Sequence, residues 1–466
     1  MDIAGFKAAL GPIEVDDSPE MIRRKSMDMS GKFSPLMKEA MKGRQADLIV
    51  TARCRADLLR IASAAAVHKV PLVLRGAGTA NLGQGIPLNG GAIVDTRGVN
   101  RVIDLAPGQV TVEPGARISA IDDAARKIGW ELRMHPSTKR MATIGGYIGG
   151  GHAGVGSCAW GILRDTGNIR SITVASVEEQ PRIVKLEGSD VNLVHHAYGT
   201  NGIILELGLP LTHAWRWRET VAAFPSLVQA TRFAYELYTS DGILRKLIST
   251  FDAPLPRMIR PLAPYLRDGE AMVLTMTAMD FDRERSELVA RHQGRIAVEA
   301  EEGRGPYGFP IYEFSWGHAR HHINHTDPDL INLIGLFPSS DPVAAILRLA
   351  ERTRAIGPLQ FEAKRFDGQL AFQGSPFFRY ESETQLAEIL SLLRQEGLQT
   401  ANNQTWDLKQ GGMKPITDRD LAFKRDMDPQ DLLNPGKFPF PGDVGAIDSG
   451  AALPSSGWAY RGQESV

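Results

Sequence analysis

The chain has 466 residues, of which 43% are hydrophobic and 23% charged, with a formal net charge of −1. That length exceeds what one core holds and implies two or three domains. The balanced charge, without any long lysine or arginine run, excludes a nucleic-acid arm or an anionic membrane surface as partner. Two cysteines, Cys54 and Cys158, allow at most one disulfide and show no metal-ligand spacing, which fits a reducing compartment. The first 20 residues are acidic where a signal peptide is basic and then apolar, and no apolar run approaches the ~20 residues of a membrane span. The expected location is the cytoplasm, without membrane insertion.

In chain order, residues 1–45 read as a polar, helix-prone surface arm. A strand over 47–50, a helix over 53–69 and a strand over 71–74 make a unit of the order that gives a parallel pair. The second strand runs into glycine at Arg75, Gly76, Ala77, Gly78, Thr79, Ala80 and Asn81. Bare backbone N–H groups after a strand make an anion cradle. A dinucleotide fingerprint starts the same way, but Asn81 stands where the third glycine belongs, and the run through Pro87 does not continue as a helix. Short strands follow over 91–95, 102–104 and 109–115, then a helix over 117–128. Residues 142–154 hold a second glycine concentration, at which neither helix nor strand is expected, since each glycine costs up to about 1 kcal/mol of chain entropy. Beyond it, 169–175 read as strand, 190–198 as helix, and 199–209 as a glycine turn into a buried strand.

Four elements now stand in order: Arg-Gly-Ala-Gly-Thr from Arg75, Ala-Thr-Ile-Gly-Gly from Ala142, Gly-Thr-Asn-Gly-Ile-Ile from Gly199, and Asp-Pro-Gln-Asp-Leu-Leu-Asn-Pro-Gly-Lys ending at Lys437. Their order and spacing resemble the vanillyl-alcohol oxidase family of flavoproteins, with its FAD-linked D-lactate and glycolate dehydrogenases. The resemblance implies an α+β fold: a two-subdomain FAD-binding domain of the PCMH type, plus a cap domain whose antiparallel sheet is covered by helices. It implies FAD with its pyrophosphate on the N–H groups of residues 76–81. Pro136, Ser137, Thr143, Gly145 and Gly146 match the segment along the flavin, Gly202, Ile203 and Ile204 the stretch flanking the adenine end or diphosphate, and Asn434 and Lys437 the returning tail. Some relatives attach FAD covalently. Ala80 and Asn81 exclude that bond in the first loop, leaving His152 and Cys158 as the alternatives to a non-covalent cofactor.

The expected boundaries are an N-terminal arm at 1–45, the FAD domain at 46–214, the cap at 215–425, and a C-terminal segment at 426–466 that ends in an extended tail. The cap shows a strand-helix-strand-strand-helix-strand order twice, over 221–298 and 330–402, which predicts one antiparallel sheet with helices on one face. Between the rounds stands the densest cluster of protonatable groups: Tyr312, His318, Arg320, His321, His322 and His325. Oxidation of an alcohol needs an acceptor for the hydroxyl proton, and histidine suits that task. The same histidines on one helix face also suit a metal. Arg320, Lys364 and Arg365 are candidate carboxylate clamps, and Tyr312, Trp316, Phe378 and Trp406 candidate pocket walls. The metal motifs of the family's 2-hydroxy-acid dehydrogenases are missing, with residues 402–406 standing where the later one belongs; no metal is expected, which argues against a metal-bound 2-hydroxy acid and towards a neutral, phenolic or otherwise metal-independent substrate. The function that follows is FAD-dependent transfer of a hydride from a CH–OH carbon of a small aromatic or hydroxy-acid substrate. The alternatives are a flavin-dependent C=C reductase and a non-catalytic flavin-binding protein. The electron acceptor and a homo-oligomeric state stay open.

Overall fold

The computed structural model describes residues 1–440. The expected extended tail, from Gly442 onward, lies outside the described residues. Nineteen strands in these residues form three sheets. The first holds β1 (Glu14–Asp16), β2 (Leu48–Thr51), β3 (Leu72–Arg75) and β4 (Ala92–Asp95), in the order β1-β2-β4-β3. β2 and β3 do not pair with each other; each lies parallel to β4. The glycine loop therefore leaves from the carboxyl end of a parallel edge strand, where open α/β sheets hold their ligands.

The N-terminal residues are more than a surface arm. Phe6 and Leu10 are fully buried in the core of the first sheet, β1 pairs with β2, and the Met29 N–H donates to the Ala80 carbonyl (2.8 Å). Phe6, Leu10, Ile13, Phe33 and Met37 are buried, too few to show in composition.

The second subdomain is a sheet of β5 (Val102–Ala106), β6 (Gln109–Val112), β7 (Trp130–Leu132), β8 (Ser171–Ala175), β9 (Ile183–Glu187) and β10 (Ile203–His213), ordered β5-β6-β10-β8-β9 with β7 also on β10. Two expectations fail here. Residues Ile144–Gly150, IGGYIGG, form an α-helix. The glycines admit close neighbours rather than breaking the helix: a Cβ on Gly145 would lie 2.6 Å from Pro114 Cβ. The helix expected over 190–198 is a 3₁₀ turn at Gly188–Leu193, after which His196 and Tyr198 take left-handed φ of 51° and 54° that no α-helix allows.

The cap sheet contains β11 (Trp217–Phe224), β12 (Arg245–Phe251), β13 (Ala271–Ala278), β14 (Arg295–Glu301), β15 (Leu330–Asn332), β16 (Ile334–Leu336), β17 (Leu359–Phe366), β18 (Gln369–Arg379) and β19 (Gln399–Ala401). Its order is β14-β11-β13-β12-β17-β18-β16-β19, with β15 on β18, antiparallel throughout, so the two rounds join as one sheet through β12 and β17. Helices Leu227–Thr239, Pro342–Arg352 and Glu383–Gln395 pack on one face.

Two devices lock the cap to the FAD-side sheets. β12 pairs with β17 only at residues 249–251, and the short turn Ser157–Trp160 enters where the strands part, with the Gly156 N–H on the Lys246 carbonyl (2.8 Å). Beside it, the fully buried Glu131 accepts from Lys246 Nζ (3.0 Å), from Trp217 Nε1 (3.1 Å) and from Arg126, which also pairs with Glu302 (3.1 Å). Removing one member of such a buried set leaves uncompensated charge. Glu131→Gln is expected to lower stability by about 3–5 kcal/mol, read as a shift of the urea-unfolding midpoint.

Candidate functional site

The four segments singled out in the sequence meet. A Cβ on Gly76 would lie 2.0 Å from Thr143 Oγ1, so the first loop rests on the start of the second glycine segment at van der Waals range only because Gly76 has no side chain. Gly199 faces the Leu74 side chain at the end of β3, and Gly202 turns with φ 103° into Ile203 and Ile204. The C-terminal segment lies beside β3: the Leu72 N–H donates to the Leu432 carbonyl (2.7 Å) and the Asn434 N–H to the Leu72 carbonyl (2.8 Å). Asp428 holds that segment's shape by accepting from the N–H groups of Leu432 (2.9 Å) and Leu433 (2.7 Å). Asn434 Nδ2 then donates to the carbonyls of Gln84 and Tyr198 (both 2.8 Å), and Lys437 Nζ to that of Gly83 (2.7 Å). Burial pushes the Lys437 ammonium down to about 7.

Around this junction Arg75 Nη1, Thr143 Oγ1 and Asn434 Oδ1 are buried without a hydrogen-bond partner. A ligand with phosphate and hydroxyl oxygens supplies what such atoms require. The residues present therefore fit a dinucleotide cofactor held by backbone. Pro136 and Ser137 lie further along, at the cap side, where His135 and Val155 exchange backbone hydrogen bonds and the His135 ring stands edge-on to Tyr312 (4.8 Å between centroids).

Residues 46–177 match the FAD binding domain family. They are an FAD binding domain. Relatives of the chain include the glycolate oxidase subunit GlcD of Bacillus subtilis, 22% identical over 54% of this chain and 57% of that protein, and the D-lactate dehydrogenase of Archaeoglobus fulgidus, 23% identical over 50% and 54%. The chain thus spans little more than half the length of these curated relatives. Similar solved structures are an alkyldihydroxyacetonephosphate synthase (TM-score 0.67, 13% identity, 94% of this chain and 85% of that one) and a Physcomitrella patens BBE-like 1 variant (0.63, 11%, 94% and 99%). The expected fold, a PCMH-type FAD domain of two subdomains with a cap, is the fold observed.

The face of the cap sheet opposite its helices divides in two. Over β11, β13 and β12 it is apolar and covered by residues 255–266 and 307–323. Over β17, β18 and β15 it carries Gln360, Glu362, Lys364, Gln373 and Asn332, polar yet largely buried. Glu362 Oε1 accepts from the Trp316 N–H (2.6 Å), Ser249 Oγ (2.8 Å) and Gln360 Nε2 (2.7 Å), while Oε2 is buried and unpartnered. Burial raises this carboxyl to about 8, so it is neutral at pH 7. Lys364 Nζ donates to Gln373 Oε1 (2.6 Å), and burial depresses its ammonium well below the usual range. Arg320 reaches Asn332 Oδ1 with Nη1 at 3.4 Å, while its Nε and Nη2 are buried without partners. Burial alone pushes its guanidinium down to about 9.

Residues Trp316–Asn324 form a helix whose Ala319 and Ile323 enter the cap core and whose Gly317 approaches Asn81 of the first loop. At 100° per residue His318, His321 and His325 then turn away from that core, while His322 lies 60° from Ala319 and packs on Phe314 at the core's edge. Their rings stack on one another and on Phe33, Phe309 and Phe314, away from the polar cap face, and burial depresses His318 to about 4 and His322 to about 3. Arg320, on the same helix, lies over the Phe33 ring that His321 also meets. Tyr312 likewise is held against His135 and Lys139 at the subdomain junction. Among the described residues no group of three or more His, Cys, Asp or Glu could hold a metal ion. Phe378 belongs to the helix-side core rather than to a pocket wall.

Sequence reasoning missed Glu362, Gln360 and Gln373. A signal existed: in 359–364 Leu359, Phe361 and Ala363 alternate with Gln360, Glu362 and Lys364, and a polar face on an inner strand marks a buried polar site as readily as a solvated one.

Gly76→Ala is expected to weaken FAD binding at least about tenfold, measured by titration of the apoprotein. Glu362 binds a proton in the folded chain between its unfolded value of 4.5 and about 8, so stability falls as pH rises through that window. Glu362→Gln should flatten this fall in melting temperature between pH 5 and 8.

Proposed function

We propose that this chain is an FAD-dependent oxidoreductase that oxidises the CH–OH carbon of a small substrate bearing an anionic group, a hydroxy acid. The observation that carries the reading is Arg320: a buried guanidinium over the Phe33 ring, with Nη1 reaching Asn332 on the polar part of the cap face and two further nitrogens unpartnered. Unpaired buried charge is costly, and a carboxylate offers the planar pair of acceptors that a guanidinium matches. The names of the two relatives, a glycolate oxidase subunit and a D-lactate dehydrogenase, concern hydroxy acids and agree with this substrate class.

FAD, when bound, supplies the two-electron redox chemistry. Residues 76–81, Thr143, Asn434 and Lys437 hold it; Arg320 and Asn332 orient the substrate, and the covering of the cap face by the FAD side keeps water out. The cofactor is held without a covalent bond. Cys158 supports this, because its thiol is buried among core side chains and pushed up to about 12, so it offers no thiolate.

Purified protein should be yellow and release free FAD on acid denaturation. A panel of hydroxy acids and neutral alcohols, scored anaerobically by loss of flavin absorbance, should find its reductants among the acids. Arg320→Leu should raise KM for the acid about 100-fold, with partial recovery in Arg320→Lys and little change for a neutral alcohol. A flavin bleached by NADPH and reoxidised by an alkene, or one that no substrate bleaches, would replace this reading with a reductase or a non-catalytic binder.

A further inference from the structure

Past β19 the chain leaves the cap sheet and crosses to the first glycine loop through Asn402, Asn403, Gln404, Thr405 and Trp406. The crossing is fixed at both ends. On the cap side the Asn402 N–H donates to the Gly411 carbonyl (2.9 Å), and Asn402 Oδ1 accepts from the Gln404 N–H (2.8 Å). On the FAD side Trp406 packs with Met37, Met41 and Ile86, and a Cβ on Gly83 would lie 3.3 Å from Trp406 Cβ. Gln404, 5% exposed, is thereby held between the two halves. Its Nε2 donates to the Asn332 carbonyl (3.0 Å) and to Asn403 Oδ1 (2.8 Å). Two acceptors at that end identify it as the nitrogen and use both of its hydrogens, so the other end accepts only, and Gln404 Oε1 is buried without a partner. Asn332 thus carries Gln404 on its carbonyl and Arg320 Nη1 on its side chain (3.4 Å).

We propose that Gln404 reads the hydroxyl of the substrate whose carboxylate Arg320 binds. The inference rests on the hydroxy-acid reading above and gives that substrate its second contact. Two opposite demands are unmet around Asn332: Arg320 Nε and Nη2 lack acceptors, and Gln404 Oε1 lacks a donor. The two side chains do not satisfy each other. A molecule carrying both a carboxylate and a hydroxyl satisfies both, with the planar acceptor pair that a guanidinium matches and one O–H for an amide oxygen. An acid without the hydroxyl, or the oxo acid that oxidation forms, brings no donor and shuts Oε1 away from water unpaired, which costs binding. Gln404 therefore favours substrate over product. An amide oxygen is too weak a base to remove the hydroxyl proton, so Gln404 aims the hydroxyl and selects for it: it is a specificity-determining residue.

The test uses the FAD-loaded protein with glycolate and D-lactate, the acids in the relatives' names, and with acetate and propionate as the same acids without the hydroxyl. Dissociation constants come from perturbation of the oxidised flavin spectrum under anaerobic conditions, or from the concentration dependence of flavin reduction where an acid bleaches it. The parent should bind the hydroxy acids at least about tenfold more tightly than their counterparts. Gln404→Met, of similar length but without the acceptor, should bring that ratio to within about threefold of unity. Arg320→Leu should weaken all four acids and leave the ratio as in the parent, which separates reading of the hydroxyl from reading of the carboxylate and from a general loosening of the site. A parent that binds both kinds equally, or a Gln404→Met protein that loads FAD and keeps the parent's ratio, overturns this assignment and leaves the oxidation reading standing. The parent's ratio needs no variant, so it decides the matter even where Gln404→Met fails to fold. Hydroxyl-selective binding without bleaching upholds Gln404 and overturns the oxidation, and binding of none of the four acids overturns both.

Discussion

Everything in the FAD half depends on how near the Gly76 backbone comes to the Thr143 side chain. The distance that a Cβ there would have from Thr143 Oγ1, 2.0 Å, is available only to glycine. Because the loop leaves the carboxyl end of an edge strand, the C-terminal segment can add itself beside β3 and reach over the loop with Asn434 and Lys437. Elements more than 350 residues apart thereby become one cradle, and the three unpartnered polar atoms around it mark where a ligand completes the structure. The N-terminal residues belong to the same assembly through the Met29 to Ala80 hydrogen bond.

The second theme is charge held where water is scarce. β17 carries Glu362 and Lys364 on a face pressed towards the FAD domain, and burial drives the carboxyl and the amine towards their neutral forms while Arg320 loses part of its hold on its proton. Groups held in this way interact more strongly than they would in water, because no shell of water screens them. Its dryness comes from the interlock between the halves: the turn Ser157–Trp160 seated where β12 and β17 part, and the ion network around Glu131. Cofactor binding and substrate chemistry are thus coupled to domain docking rather than carried by either half alone.

Much of this was legible in the residue order. Strands over 47–50, 71–74 and 359–366 and the doubled strand-helix pattern of the cap follow from apolar periodicity, which local packing obeys. The glycine motifs announced a backbone-lined ligand site, and their order the cofactor class. The failures have one cause, the tertiary partner. Helix Ile144–Gly150 exists because Pro114 packs where side chains would be, which propensity cannot foresee. The His321 ring, in the segment 318–325, meets Phe33 of the N-terminal segment, a neighbour that its local sequence does not name.

By itself the sequence determined the element types, the two-part organisation and the need for a bulky anionic cofactor, because these follow from periodicity and from the conformational freedom of glycine. Only the tertiary structure decided which polar side chains share the buried face. Arg320 reaches Asn332, and Lys364 reaches His152, because sheet register and domain docking bring separate stretches of chain together. A residue's local sequence carries no record of what lies across an interface, and the burial that alters the charge of these groups is created by that interface.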